Sequence, residues 1–266
     1  MEVESPKEAG RKKSWPFILA SVLILLVLYY SIMAIISTSR KVSAINEEFG
    51  FKQPENGSIG NRLFSDSAYV KLNRERAFYQ SRNLMAETDS ICLLLNLADS
   101  FAILEINGVT VHKARLTSLK ISSVLYRADE YAVSSMLSVP FTVMENHSTI
   151  AKEPLMLKVA PKDTSEYKPD ILPDTTNTAA VNYMMEMDNG FRVYIYQETG
   201  DDIGGALNRF IFDTSNRFEN IWAIIKNIAR LKVPEYHPGI RLRMKKTDAR
   251  IIYRALPVHG QIAVYR

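Results

Sequence analysis

Hydrophobic positions follow three different rules along this chain. Trp15 to Ser37 contains no charged residue, and Phe17 to Ile36 is nearly all apolar. About 20 such residues are enough for a helix to cross the hydrocarbon of a bilayer. From Asn61 to Thr88 there is no glycine or proline, and Leu63, Val70, Ala77 and Leu84 recur every seven residues. That stripe predicts a helix, lying on its own domain or rising as a stalk. Asp66, Asn73 and Gln80 are polar where a second seam position would fall, so a full coiled-coil pattern is missing; a homodimer through 61–88 stays open as the other reading. From Ser90 onward the rule becomes short apolar runs bounded by turn residues. Ile91–Leu97, Ser100–Ile106 and Val109–Leu116 read as strands, and Asn107-Gly108 between two of them is a strong hairpin signal, because both residues tolerate positive φ.

Later elements are less regular. Ala128 to Met136 fits a helical insertion; Val139–Met144 and Thr149–Val159 look extended. Residues 160–178, with Pro161, Pro169 and Pro173, read as a long polar loop. Val181 to Tyr196 predicts two strands around an Asn189-Gly190 turn, and Asn208–Asp213 another short strand. Phe218, Ile221, Trp222, Ile225, Ile228 and Ala229 share one face of a helix from about 217 to 231. Gly239–Met244 reads as a strand with Ile240, Leu242 and Met244 on one face and Arg241 and Arg243 on the other. Thr247-Asp248 offers a helix cap, Ala249, Ile252 and Tyr253 follow at helical spacing, Pro257 stops the helix, and Gln261–Arg266 is a last strand. The expected plan is a tail at 1–14, a membrane helix at 15–37, a spacer and stalk at 38–89 and a mainly β domain with a few helices at 90–266.

Charge and chemistry refine that plan. Lys7, Arg11, Lys12 and Lys13 before the apolar run, against Arg40 and Lys41 after it, favour a cytoplasmic N-terminus and an exported remainder. A cleaved signal peptide is the competing reading, opposed by the length of the run and the absence of an Ala-x-Ala site. The single cysteine, Cys92, allows no intrachain disulfide, which suits a bacterial envelope protein better than a small secreted domain. It sits in an apolar strand, where a thiol is inert. The net charge of +4 gives no argument for nucleic acid. Arg241, Arg243, Lys245, Lys246, Arg250, Arg254 and Arg266 face one acid, Asp248, which reads as a solvated basic face or as an anion site. His112, His147 and His259 have no metal-site spacing, and no P-loop, nucleophile elbow or dinucleotide fingerprint is present, so neither a metal nor a cofactor is expected.

Tyr236-His237-Pro238-Gly239-Ile240-Arg241-Leu242, followed by Asp248-Ala249 and Tyr253, resembles the C-terminal catalytic segment of the L,D-transpeptidases, the family that cross-links peptidoglycan through a cysteine. The resemblance places Gly239 at the nucleophile and Tyr196 at the upstream histidine. His237 keeps the motif histidine, and Arg241 the arginine that shapes the site and could hold a carboxylate bidentately. With no side chain at Gly239, cysteine-based acyl transfer has no nucleophile, so no catalytic residue is assigned. What the resemblance implies is a transpeptidase-like periplasmic domain without its chemistry, held in a bacterial inner membrane by one span and binding peptidoglycan or an envelope protein partner. Two alternatives stay open: a structural subunit of a multiprotein envelope complex, and a hydrolase or transferase with a relocated nucleophile.

Overall fold

The structure, a computed structural model, describes residues 15–51, 66–152, 180–198, 207, 209–214 and 232–266. The tail at 1–14, Leu63, the loop at 160–178 and the helical stripe at 217–231 therefore lie outside the described residues. Eight strands form a closed barrel: β1 (Cys92–Asn96), β2 (Phe101–Ile106), β3 (Val109–Ile121), β4 (Phe141–Ser148), β5 (Asn182–Met187), β6 (Arg192–Gln197), β7 (Gly239–Met244) and β8 (Gln261–Tyr265). Their order around the barrel is β1-β2-β3-β7-β6-β5-β4-β8. The β-rich class with a few helices holds.

Alternation along each strand fills the barrel. Ile240, Leu242 and Met244 point inward with Val193 and Ile195 of the neighbouring β6, and Leu93, Leu95, Leu104 and Met185 join them in one core. Asn107 (φ 49°) and Gly108 (φ 77°) make the β2–β3 turn in the left-handed region, as the dipeptide predicts. β7 and β8, both from the last thirty residues, close the barrel. β7 runs parallel to β6 and antiparallel to β3; β8 runs parallel to β1 and antiparallel to β4.

Among the described residues the helices are α1 (Trp15–Phe49), α2 (Ser67–Ala86), α3 (Val124–Arg127), α4 (Glu130–Leu137) and α5 (Lys246–Ala255), besides the helical residues 209–214. Three expectations need correction, two of them in this part of the fold. The stretch after the apolar run is not a spacer: α1 continues to Phe49, and Ile45 is buried in the core with Val42 and Phe49 packed beside it. No glycine or proline interrupts 38–49, and Val42, Ile45 and Phe49 share a helix face, so the helix extends and docks. Residues 209–214 are helical rather than a strand, with Thr214 Oγ1 donating to Phe210 O, four residues back, at 2.6 Å. A short apolar run does not by itself distinguish the two.

α2 lies on its own domain. It buries Ala77, Ser81 and Met85, packs against α4 and β8, and leaves Leu84 exposed, so the seventh-residue stripe is split between domain and solvent. Its Arg82 forks onto the buried Glu105, with bonds of 2.9 and 3.0 Å. Thr247-Asp248 does not cap α5; Lys245 stands at the N-cap without a side-chain bond, and Asp248 lies in the first turn, 3.3 Å from His112. α1 is the one described helix long and apolar enough to cross a membrane.

Candidate functional site

The extended segment 232–238 leads into β7, and its placement builds a cleft. Arg192 N donates to Pro238 O and Ser122 N to Gly239 O, both at 2.9 Å, so Gly239 is held between β6 and the end of β3. A β-carbon at Gly239 would lie 2.7 Å from Arg192 O. That is closer than a β-carbon and a backbone oxygen sit without a shift, and the oxygen belongs to the paired strand β6. Cysteine, like any other side chain, therefore fits here only if β6 or β7 moves.

His237 lines the same cleft as Gly239 and is held by the turn between β5 and β6. Its Nδ1 lies 3.2 Å from Gly190 O, and since a carbonyl only accepts, Nδ1 carries the hydrogen. Glu186 Oε1 is 4.0 Å from the same nitrogen, while Glu186 Oε2 accepts from Arg192 Nε at 2.7 Å. The nearest cleft hydroxyls, Ser122 Oγ and Tyr236 Oη, share a 2.9 Å hydrogen bond with each other. Among the described residues no serine or threonine hydroxyl is bonded to His237.

Arg241 faces outward beside the cleft. On one side its register partner is Tyr194, with the guanidinium carbon 5.5 Å from the ring centroid. On the other side its partner is Lys120 of β3. Two cations directly opposite each other on antiparallel strands repel. Among the described residues neither has a carboxylate within ion-pair distance. The cleft between them is about 360 Å³ and is lined also by Ile121, Ser122, Tyr236, His237 and Gly239. A larger cavity of about 430 Å³ beside α2 differs in charge: its Arg74 and Arg266 both reach Glu130, and its Lys71 reaches Glu75.

The structure thus brings His237, Gly239 and Arg241 together. It places Tyr196 elsewhere: Tyr194, one alternation step earlier on the same face of β6, lines the cleft. Tyr196 is buried two residues further on, its Oη donating to Asp213 Oδ1 at 2.7 Å and its ring against Phe212. Burial, together with the Asp213 carboxylate, pushes this phenol well above its ordinary range and keeps it neutral. Lys120, Ser122 and Tyr194 reach the cleft through strand register, which no local motif announces.

Other candidate groups are structural. Cys92 is buried, and that burial raises its thiol against a weaker pull from the Thr88 hydroxyl. His259 Nδ1 lies 3.1 Å from Val143 O, and His147 lies 3.7 Å from Glu145. Among the described residues no group of three or more His, Cys, Asp or Glu side chains could hold a metal ion. Comparison of the chain with protein-family models, with curated proteins and with solved structures gave no match.

Proposed function

We propose that this chain is a membrane-anchored, catalytically inactive transpeptidase-like protein of the bacterial envelope whose cleft binds an anionic ligand. The observation that carries the binding half is the facing pair Lys120 and Arg241, two cations with no carboxylate partner among the described residues, beside a 360 Å³ cleft. An anion set between them relieves their repulsion and takes charge-assisted hydrogen bonds from both. Ser122, Tyr236 and His237 line the same cleft and add polar contacts, and the Tyr194 ring adds an apolar wall. The inactive half is supported by Gly239, which carries no side chain to act as a nucleophile and where an added β-carbon would press on the β6 backbone.

The resemblance to the L,D-transpeptidases makes the carboxylate ends of peptidoglycan stem peptides the first ligand to try, and an acidic segment of an envelope partner the second. The test is incubation of the protein with purified muropeptides, with mass spectrometry of the products and a pull-down on intact sacculi. We expect no cross-linking or trimming, and retention that falls when Arg241→Gln and Lys120→Gln are combined. Turnover by the unmodified protein that His237→Ala abolishes would replace this reading with an enzyme of relocated chemistry.

A further inference from the structure

The docking of α1 on the barrel gives the cleft a height above the membrane. Apolar side chains on α1 stay exposed through Ile35 and Ile36, and the next residue, Ser37, is buried with its Oγ donating to Pro234 O at 2.6 Å. Nine residues later, Asn46 Oδ1 accepts from Asp129 N at 2.9 Å, which at 1.5 Å per residue is roughly 13 Å further from the bilayer. The domain is thus fastened to the helix at two levels, and Pro234 is at the lower one. From Phe17 to Ile36, 20 residues of helix span roughly 30 Å, the thickness of the hydrocarbon. Ser37 and Pro234 therefore sit where the hydrocarbon ends and the headgroups begin. Tyr236 follows Pro234 by two residues, within about 7 Å of chain, and Gly239 by five, within about 18 Å. Ser122 and Ile121 flank the cleft immediately before α3, which itself packs on α1. Arg40 and Lys41, one turn above Ser37, have no carboxylate partner among the described residues either.

From this placement we infer that the anion of the cleft is the headgroup of a lipid in the bilayer that α1 spans. The inference rests on the anion-binding reading and narrows it. A cleft tethered through Pro234 within about 18 Å of chain from headgroup level, with two cations that have no carboxylate partner among the described residues and two more on the adjoining helix turn, meets membrane-borne phosphate at high local concentration. Each basic residue near such a surface adds to the attraction. Soluble anions have no such advantage.

The experiment uses the full chain in phosphatidylcholine nanodiscs containing phosphatidylglycerol with a photoactivatable headgroup. In parallel, binding of soluble D-alanyl-D-alanine is measured by calorimetry on the same preparation. We expect saturable photolabelling of the protein, mapped to peptides containing Tyr236–Arg241 or Lys120–Ser122. Lys120→Gln with Arg241→Gln should cut it about tenfold. Lys113→Gln with Arg115→Gln, in the middle of β3 and outside the cleft, should leave it unchanged. Equal labelling in both double variants would mean contact by proximity alone and would overturn the inference. Soluble dipeptide binding that depends on Arg241, without cleft labelling by the lipid, would overturn it while leaving the anion-binding reading intact. Failure of both arms would bring down both. Circular dichroism on each variant confirms that a lost signal is not lost folding.

Discussion

The smallest side chain that could be added to Gly239 is one methyl group, and its carbon would stand 2.7 Å from Arg192 O. Room for it requires β6 and β7 to part, although Arg192 N is bonded to Pro238 O across the same gap. Gly239→Ala is expected to destabilise the protein by about 1–3 kcal/mol, the usual range for overpacking, read as a lower urea midpoint with unchanged slope. Gly239→Cys should do at least the same and restore no transpeptidation. An alanine variant as stable as the parent would show that the strands yield and that the steric account is wrong. Cys92 supplies a second residue-scale expectation. Its folded-state pKa is raised, so the native protein holds the thiol proton at pH values where the unfolded chain releases it. Stability attributable to this group is then present below the ordinary thiol range and declines as pH rises through it. Denaturant midpoints measured across that range should fall more steeply for the parent than for Cys92→Ala, and the native thiol should stay silent to Ellman's reagent. At this scale His237, Gly239 and Arg241 were legible because five consecutive residues of one segment carry them. Lys120 and Tyr194 were not, because each becomes a neighbour of Arg241 only when β3 and β6 take their registers.

Elements were legible where local chemistry left a single solution. Asn107-Gly108 demanded a turn with positive φ, and the apolar alternation of Gly239–Met244 demanded a strand with its arginines outside; both formed. Elements were misread where the signal lay in what was missing. Residues 38–49 lack any breaker, yet the sequence places the end of the membrane helix at Ser37, because the apolar run stops there and Gly50, Pro54, Asn56-Gly57 and Gly60 mark the mixed stretch after it as a spacer. Their use is now specific: Ile45 is 3% exposed and belongs to the barrel's core. Ile45→Ala should therefore cost about 2–4 kcal/mol, as a buried aliphatic truncation does and a linker substitution does not. A shift under about 0.5 kcal/mol would mean that α1 is not docked in solution. On α2 the buried contact is ionic. Glu105 is almost wholly enclosed and depends on the Arg82 fork, with Thr110 Oγ1 a longer 3.4 Å neighbour. Removing the cation strands a carboxylate, so Arg82→Ala should cost about 2–3 kcal/mol. The double variant with Glu105→Gln should recover part of that loss, and strict additivity in the cycle would deny the coupling.

For the molecule as a whole, the sequence positions that complete the fold lie far apart. β8 lies between β1 and β4, with Ile262 the register partner of both Leu93 and Phe141. Without it the barrel opens, and β1 and β4 become the two unpaired edges of the sheet. At the other end of the chain, Val42, Ile45 and Phe49 cover part of the same core, whereas the apolar window of α1 before them is not buried in the protein at all. The parts of α1 thus have different thermodynamic meaning: the apolar run is exposed and long enough to cross a bilayer, and 38–49 packs on the domain. Three pieces of the chain should separate these roles. Residues 38–266 should unfold in one cooperative step, since the described part of what is removed, 15–37, contributes no residue to the core cluster. Residues 50–266 should show a lower midpoint, because Ile45 and Phe49 no longer shield the core. Residues 38–260 should give no cooperative transition, because closing the barrel requires long-range pairing that only β8 provides. Chemical denaturation followed by near-ultraviolet circular dichroism reads all three. A cooperative transition in the piece lacking β8 would mean that the remaining seven strands form a stable open sheet, and the closed barrel would then no longer be what fixes Lys120 opposite Arg241.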